Sequence, residues 1–177
     1  MSVQVLPVLM VDDEAIDARD FDALFVAHFP GLVRALTAIS GDRETAADCV
    51  QEAFVRAHGR WDKLVDYDDP IGWVRHVALN LARDSRRRDT RGKALHLRLV
   101  VEHETEATDV TAEPRTDLAG LFSTLPRRQR ESLALYYVEG LSVLEVAAAL
   151  GISEGAVKFH LHQGRERLRP LIDRGDL

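Results

Sequence analysis

Between Leu141 and Arg169 the chain reads LSVLEVAAALGISEGAVKFHLHQGRERLR, a stretch that leaves few choices of local fold. Ser142 is placed to cap a short helix carrying Leu144, Ala147, Ala148 and Leu150, and Gly151 suits the left-handed turn that ends it. Ser153 caps the next helix, and Glu154 falls in its first turn, where the helix dipole favours an anion. On that second helix Val157, Leu161, Gly164 and Leu168 recur at spacings of 4, 3 and 4, which is one apolar face. The small residues Ala147, Ala148 and Gly164 permit two helices to cross closely. These signals together describe a helix-turn-helix. Its outward face carries Lys158, His162, Arg165 and Arg169 at the same spacings, a row suited to phosphates and base edges in a major groove. A solvated basic face on an ordinary helical hairpin would not require caps, turn glycine and small crossing residues to coincide, so DNA binding is the better reading.

The rest of the chain is also helical in pattern. From Phe21, residues Leu24, Phe25, Phe29, Leu32, Val33 and Leu36 recur at helical spacing behind a cap at Asp20. A second helix starts near Asp42 and runs through ETAADCVQEAFVRAHG. WDKLVDYDDP reads as a loop, and Pro70 suits the first turn of a third helix, IGWVRHVALNLARDSRRRD. Helical periodicity fails from about Thr90, and the polar, acidic stretch VEHETEATDVTAEPR reads as a flexible tether. The predicted fold is therefore all-α: two small helical domains, 20–91 and 117–177, joined by an acidic linker at 92–116 and preceded by an acidic extension at 1–19. The C-terminal domain holds the helix-turn-helix.

Charge distribution matters more here than the net charge of −6. Residues 1–20 hold five acids against one base, and residues 102–118 hold six against one. Residues 83–98 hold seven bases against two acids, so a basic block lies between an acidic tail and an acidic linker. The single cysteine, Cys49, forms no internal disulfide and offers no zinc pair, which suits a reducing cytoplasm. His160 and His162 point to different faces of a helix and make no metal site. No apolar run approaches the roughly 20 residues of a bilayer span, and no basic leader precedes one, so membrane insertion and export are not expected. Neither a phosphate-binding glycine loop nor a nucleophile elbow occurs, which argues against an enzyme; no cofactor is expected.

The third helix carries a second row: Trp73, His76, Asn80, Arg83 and Arg87, spaced 3, 4, 3 and 4, with Val74, Val77, Ala78 and Leu81 on its core face. An aromatic, an amide and guanidinium groups in one row can stack on bases, bond their edges and neutralise phosphate. A buried tryptophan beside solvated arginines would give the same spacing. The neighbouring Arg86, Arg88, Arg91 and Lys93 tilt the balance toward nucleic acid.

Two long runs carry a resemblance. AADCVQEAFVRAHGRWD with DDPIGWVRHVALNLARDSRRR resembles the second conserved region of the extracytoplasmic-function (ECF) group of bacterial sigma factors. LPRRQRESLALYYVEGLSVLEVAAALGISEGAVKFHLHQGRERLR is similar to that group's fourth region, and the two occur in the family's order. The resemblance implies a promoter-recognition subunit that binds the core of bacterial RNA polymerase through its clamp helices and flap. It implies core contacts at Asp48, Gln51, Glu52 and Val55, and −10 DNA contacts at Trp73, His76, Asn80, Arg83 and Arg87. It implies −35 contacts at Ser153, Glu154, Lys158, Phe159, His162 and Arg165, and an anti-sigma partner is an expectation of the same kind. Where the family usually has Glu-Asp-Leu this chain has Ala47-Asp48-Cys49, and its recognition helix reads KFHLHQGR where more arginine is usual.

The N-terminal VLPVLMVDDEAIDARDF suggests another reading, because it resembles the first strand and acidic cluster of a response-regulator receiver. AVKFHL is likewise close to the recognition helix of quorum-sensing-type activators. A receiver needs a phospho-acceptor aspartate closing a strand near Gln51 to Val55, where the chain reads QEAFV inside a helical pattern. The receiver reading fails on that residue, and with it the magnesium site.

Overall fold

A computed structural model describes residues 20–100 and 117–173. The acidic extension at 1–19 and most of the expected linker, 101–116, lie outside the described residues. Among the described residues every regular element is helical. Helix α1 spans Phe21–Ser40, α2 Arg43–His58, α3 Trp61–Leu64 and α4 Pro70–Val100. The second half holds α5 (Asp117–Ser123), α6 (Arg127–Leu133), α7 (Val143–Leu150) and α8 (Glu154–Asp173). Between α6 and α7 the chain widens into a π turn, Ala134–Val138.

The caps fall where the sequence places them. Asp20 accepts from the backbone N–H groups of Asp22 and Ala23 at 2.9 and 3.3 Å, and Asp42 accepts from Thr45 at 2.9 Å. Asp69 accepts from the Gly72 N–H at 2.8 Å and so opens α4 at Pro70. Two boundaries differ from the sequence reading. The supposed loop after α2 contains the short helix α3, and α4 continues to Val100, past the point where its apolar periodicity fails. Side chains such as Arg, Lys, Leu and Ala favour helix without an apolar face, so periodicity underestimates its length.

Helix α1 is the centre of the core. Leu32, Ala35 and Leu36 are fully enclosed, and α2, α4, α5, α6 and the π turn all pack on it. With a mean hydropathy of 1.4 over its most apolar window, α1 has the length and composition of a bilayer span, contrary to the sequence reading. Its most buried residues, including Leu24, Val33, Ala38 and Ile39, are covered by the other helices of this chain. Phe54 of α2 meets Phe21 and Phe25 edge-on, with ring centroids 6.1 and 4.9 Å apart, closing the other end of the first half.

The two halves do not merely share a tether; they pack together. Arg75 of α4 donates to Glu139, just beyond the π turn, at 2.7 Å, and their side chains are only 4% and 6% exposed. The π turn makes this reach possible, since the Glu139 N–H bonds back to the Ala134 carbonyl, five residues earlier, at 3.2 Å. Burial pushes the Glu139 carboxyl above its ordinary range even though Arg75 pulls the other way. The carbonyl of Ile39, near the C-terminal end of α1, accepts from Arg86 of α4 at 3.0 Å and Arg130 of α6 at 3.3 Å. One arginine from each half thus sits at the negative end of the α1 dipole.

Within the second half, Val157, Leu161, Gly164 and Leu168 are all buried, as their spacing predicts. Gly164 is needed for close approach: a Cβ there would lie 2.5 Å from Leu133 Cδ1 and 3.3 Å from its Cγ. The small-residue seam on α7 runs through Ala147 and Ala149, whereas Ala148 and Leu144 face outward. Gly164→Ala is therefore expected to destabilise the protein by about 1–3 kcal/mol, the cost of overpacking. Urea unfolding measures it directly.

A pH dependence follows from His28 on α1. Burial first, and Arg75 next, hold its imidazole below the ordinary range, with Asp69 pulling weakly upward. The neutral ring is the native form, so this contribution is present above the ordinary pKa of about 6.5 and is lost as pH falls through the lower native value. Urea midpoints should fall between roughly pH 7 and 5, and His28→Gln should flatten that part of the curve.

Candidate nucleic-acid interface

The helix-turn-helix is built by local chemistry. The Ser142 hydroxyl accepts from the Glu145 N–H at 3.3 Å, while the Glu145 carboxylate accepts from the Ser142 N–H at 2.8 Å, a reciprocal capping box. The Ser142 hydroxyl also donates to the Glu145 carboxylate at 2.6 Å, and this bond first, then the one from the Ser142 N–H, holds the carboxyl below its ordinary range. Gly151 takes a φ of +64°, which a residue with a side chain rarely adopts, and α8 starts behind Ser153, whose hydroxyl accepts from the Ala156 N–H at 3.2 Å. From this start α8 presents Lys158, His162, Arg165 and Arg169 to solvent along one face. Ser153, Glu154 and Phe159 are exposed beside them, so the six residues expected at a −35 element share one accessible surface. Arg165 is steadied by the Tyr137 hydroxyl at 3.5 Å, and Arg169 pairs with Glu166 at 2.9 Å. Backbone N–H groups, an exposed aromatic ring and cations together form a surface that can lie in a major groove.

On α4 the second row divides. His76 and Asn80 are exposed, and Arg87 is exposed with only a loose pairing to Asp84 at 3.6 Å. Trp73 is half-buried, with the Arg60 guanidinium 5.8 Å from the centre of its ring. Arg83 is committed elsewhere. Its Nε and Nη2 donate to the two carboxylate oxygens of Glu131 on α6 at 2.9 and 3.1 Å, and its Nη1 donates to Asn80 Oδ1 at 3.1 Å. Glu131 is completely enclosed, with Arg128 at 3.4 Å and Arg127 at 3.9 Å completing its surroundings. The structure therefore keeps four of the five row residues accessible or partly accessible and ties the fifth to the other half.

The third predicted surface lies on α2. Asp48, Gln51, Glu52 and Val55 are all exposed, and Glu52 holds Arg56 at 2.7 Å. Val55 is a large apolar side chain left in water, 59% exposed, beside polar neighbours. Cys49 points inward from the same helix, and burial, with Asp48 adding, pushes its thiol up, so it behaves as a small apolar core residue and not a reactive one.

Sequence reasoning missed the charged residues between the halves: Arg75, Glu139, Glu131 and Arg130. A weak signal existed for Arg75, because it shares spacings of 4 and 3 with Leu79 and Ala82, which are buried. A second buried stripe on α4 was therefore present, with an arginine in it. Nothing local marks Glu131 as the partner of Arg83, since the two are 48 residues apart.

Family models describing Sigma-70 region 2 and Sigma-70 region 4 match residues 24–92 and 115–168 respectively. CarQ, an RNA polymerase sigma factor of Myxococcus xanthus, is 32% identical, with 90% of this chain and 92% of the relative covered. The chain belongs to the sigma-70 family. The ECF RNA polymerase sigma factor SigM of Mycobacterium tuberculosis is 31% identical over 88% of this chain and 79% of its own length, which places the chain in the ECF group. A probable sigma factor of Xanthomonas campestris, RfaY, is 33% identical over 78% of this chain, which spans only 37% of that relative. Among solved structures, CnrH in complex with the cytosolic domain of CnrY superposes with a TM-score of 0.61 at 26% identity, covering 87% of this chain and 88% of that one. RpoE of Bartonella quintana, solved with the anti-sigma factor NepR, shares the fold at a TM-score of 0.65 and 20% identity, covering 88% and 98%. The chain is an alternative sigma factor, a regulatory initiation factor; the helices described where a receiver would need strands leave the activator alternative without support.

Glu131→Gln keeps the shape of the buried carboxylate but removes the charge that Arg83 and Arg128 face. A loss of about 3 kcal/mol is expected, because breaking one partner of a buried pair leaves the other uncompensated. Adding Arg83→Met to Glu131→Gln should recover part of that loss, and a double-mutant cycle by chemical denaturation reads the coupling.

Proposed function

We propose that this chain directs core RNA polymerase to a small set of promoters, with the first half melting and holding the −10 element and the second half reading the −35 element. The observation that carries the reading is the accessible row on α8, set by a capped helix-turn-helix in the same chain as the α4 row. Lys158, His162 and Arg165 reach base edges and phosphates, Phe159 meets thymine methyl groups, and Ser153 and Glu154 at the helix start fix its register. Asn80 and His76 bond the edges of unstacked bases, Trp73 stacks on one, and Arg87 neutralises the strand. Arg83 joins them once Glu131 is released. Opening DNA needs no covalent step here, only preferential binding of the unpaired strand, so the chain works in the cytoplasm without enzymatic activity or cofactor of its own.

The α2 surface of Asp48, Gln51, Glu52 and Val55 docks on the clamp helices, with Val55 as the apolar anchor inside a polar rim. The second half also meets the polymerase flap. An anti-sigma partner belongs to the same proposal; CnrH, alike in fold and related in sequence, was solved with a partner's cytosolic domain bound.

Run-off transcription with purified core polymerase and a promoter library tests the whole: the absence of both a promoter-dependent transcript and a complex with core overturns it. Asn80→Ala should slow opening of a duplex promoter by about ten-fold and leave a pre-melted template much less affected. Lys158→Ala should weaken binding to duplex −35 DNA on both templates, roughly equally, and reduce its salt dependence. Equal losses on both templates for both variants would contradict the division of labour.

A further inference from the structure

From Ala23 to Val33, α1 carries no acidic residue, lysine or arginine, and its one titratable side chain there, His28, is half-buried. Leu24, Leu32 and Val33 face the core. On the opposite side Ala23, Val26, Ala27 and Pro30 recur at i, i+3, i+4 and i+7, which is a second apolar stripe. Val26 is 72% exposed, and Ala27 and Pro30 are exposed with it. Only 39% of the most apolar window of α1 is buried. A helix side that faces water ordinarily carries charge, and a helix apolar all round is ordinarily enclosed. The α2 surface shows the contrast, since its exposed Val55 stands among Gln51, Glu52 and Arg56. Pro30 adds a polar feature to the stripe: it has no N–H, so the Val26 carbonyl loses its usual helical donor.

We propose that residues 5–11, VLPVLMV, pack along this stripe, so that the chain's own N-terminal segment covers the open side of α1. Composition, reach and charge select this occupant. The segment is seven consecutive apolar residues, the complement of an uncharged stripe. It joins the helix through residues 12–19, eight residues that span up to about 27 Å, whereas Pro30 lies about 15 Å along α1 from the Asp20 cap. A tether of that length holds the segment beside the stripe at a millimolar effective concentration, above what a second chain supplies in dilute solution. Its four acids, Asp12, Asp13, Glu14 and Asp17, fall in the tether and not in the apolar run, so the contact buries no charge. The same acids oppose seating of the stripe on an anionic lipid surface. Backbone N–H groups of the segment can also serve the Val26 carbonyl. The acidic extension thereby gains an anchor: its apolar run seals α1 while its acids stay in water.

The test replaces Val26 of the full chain with the photo-reactive p-benzoylphenylalanine, irradiates dilute protein and locates the cross-links by mass spectrometry after trypsin. Cross-links within one chain to residues 5–11 are expected. Cross-links that join two chains and grow with concentration would overturn the proposal in favour of a second copy. A label that reaches no part of 5–11, or binding to phosphatidylcholine vesicles that Val26→Asp abolishes, would overturn it as well. Thermal unfolding gives an independent reading, because Val26 is exposed and its replacement opens no cavity in the core. Leu9→Asp and Val26→Asp should each lower Tm by about 2–4 °C, and the double variant should fall little further, since both break one contact. Leu9→Asp without effect, or losses that simply add, would sink the contact.

Discussion

The buried carboxylate of Glu131 organises the meeting of the two halves. An ionised group fully removed from water is tolerated only if paired and hydrogen-bonded, and Glu131 obtains this from Arg83 across the divide and from Arg127 and Arg128 on its own helix. Two parallel bonds to Arg83 fix both the distance and the orientation of α6 relative to α4. The second pair, Arg75 with Glu139, repeats the device at the π turn. Both arginines lie on α4; Glu131 lies on α6 and Glu139 just beyond the π turn that follows it. The register of the halves is thus set at two points along one helix.

This arrangement gives Arg83 two incompatible occupations. A carboxylate and a phosphate present similar oxygen geometry to a guanidinium fork, so the group that holds Glu131 is the one suited to a DNA backbone. It cannot serve both at once. Asn80, bonded to Arg83 through its amide oxygen, is drawn into the same choice, although it remains exposed. The α8 row is free of this constraint, because its residues face solvent on the far side of the Val157–Leu168 stripe.

What the sequence disclosed and what it withheld separate by distance along the chain. Caps at Asp20, Asp42, Ser142 and Ser153, the turn at Gly151 and the tight crossing at Gly164 are all decided within a few residues, so each was legible. The accessible row on α8 was legible for the same reason, whereas the α2 residues were named by the family resemblance alone. The ion pairs between the halves join residues 48 and 64 positions apart, and no helical period reports on them. The π turn escaped because its sequence, ALYYV, differs little from ordinary helix, and only the demand that Glu139 reach Arg75 gives it a purpose. Ala148 was placed at the helix crossing, although it faces outward, because every residue of α7 except Glu145 is apolar and the pattern leaves its phase unfixed.

Charged pairs also fix how two packed halves align. Burial raises the Glu139 carboxyl despite Arg75 at 2.7 Å, so the pairing does not fully offset the desolvation of the charge. An apolar seam of the same extent would hold the halves with a free energy proportional to the area enclosed and would resist opening on every contact. A pair near break-even specifies alignment strongly while contributing little to the net hold, and on separation each partner regains its water. The ion pairs thus select how the halves align, while the apolar packing of α5, α6 and the π turn on α1 supplies the hold.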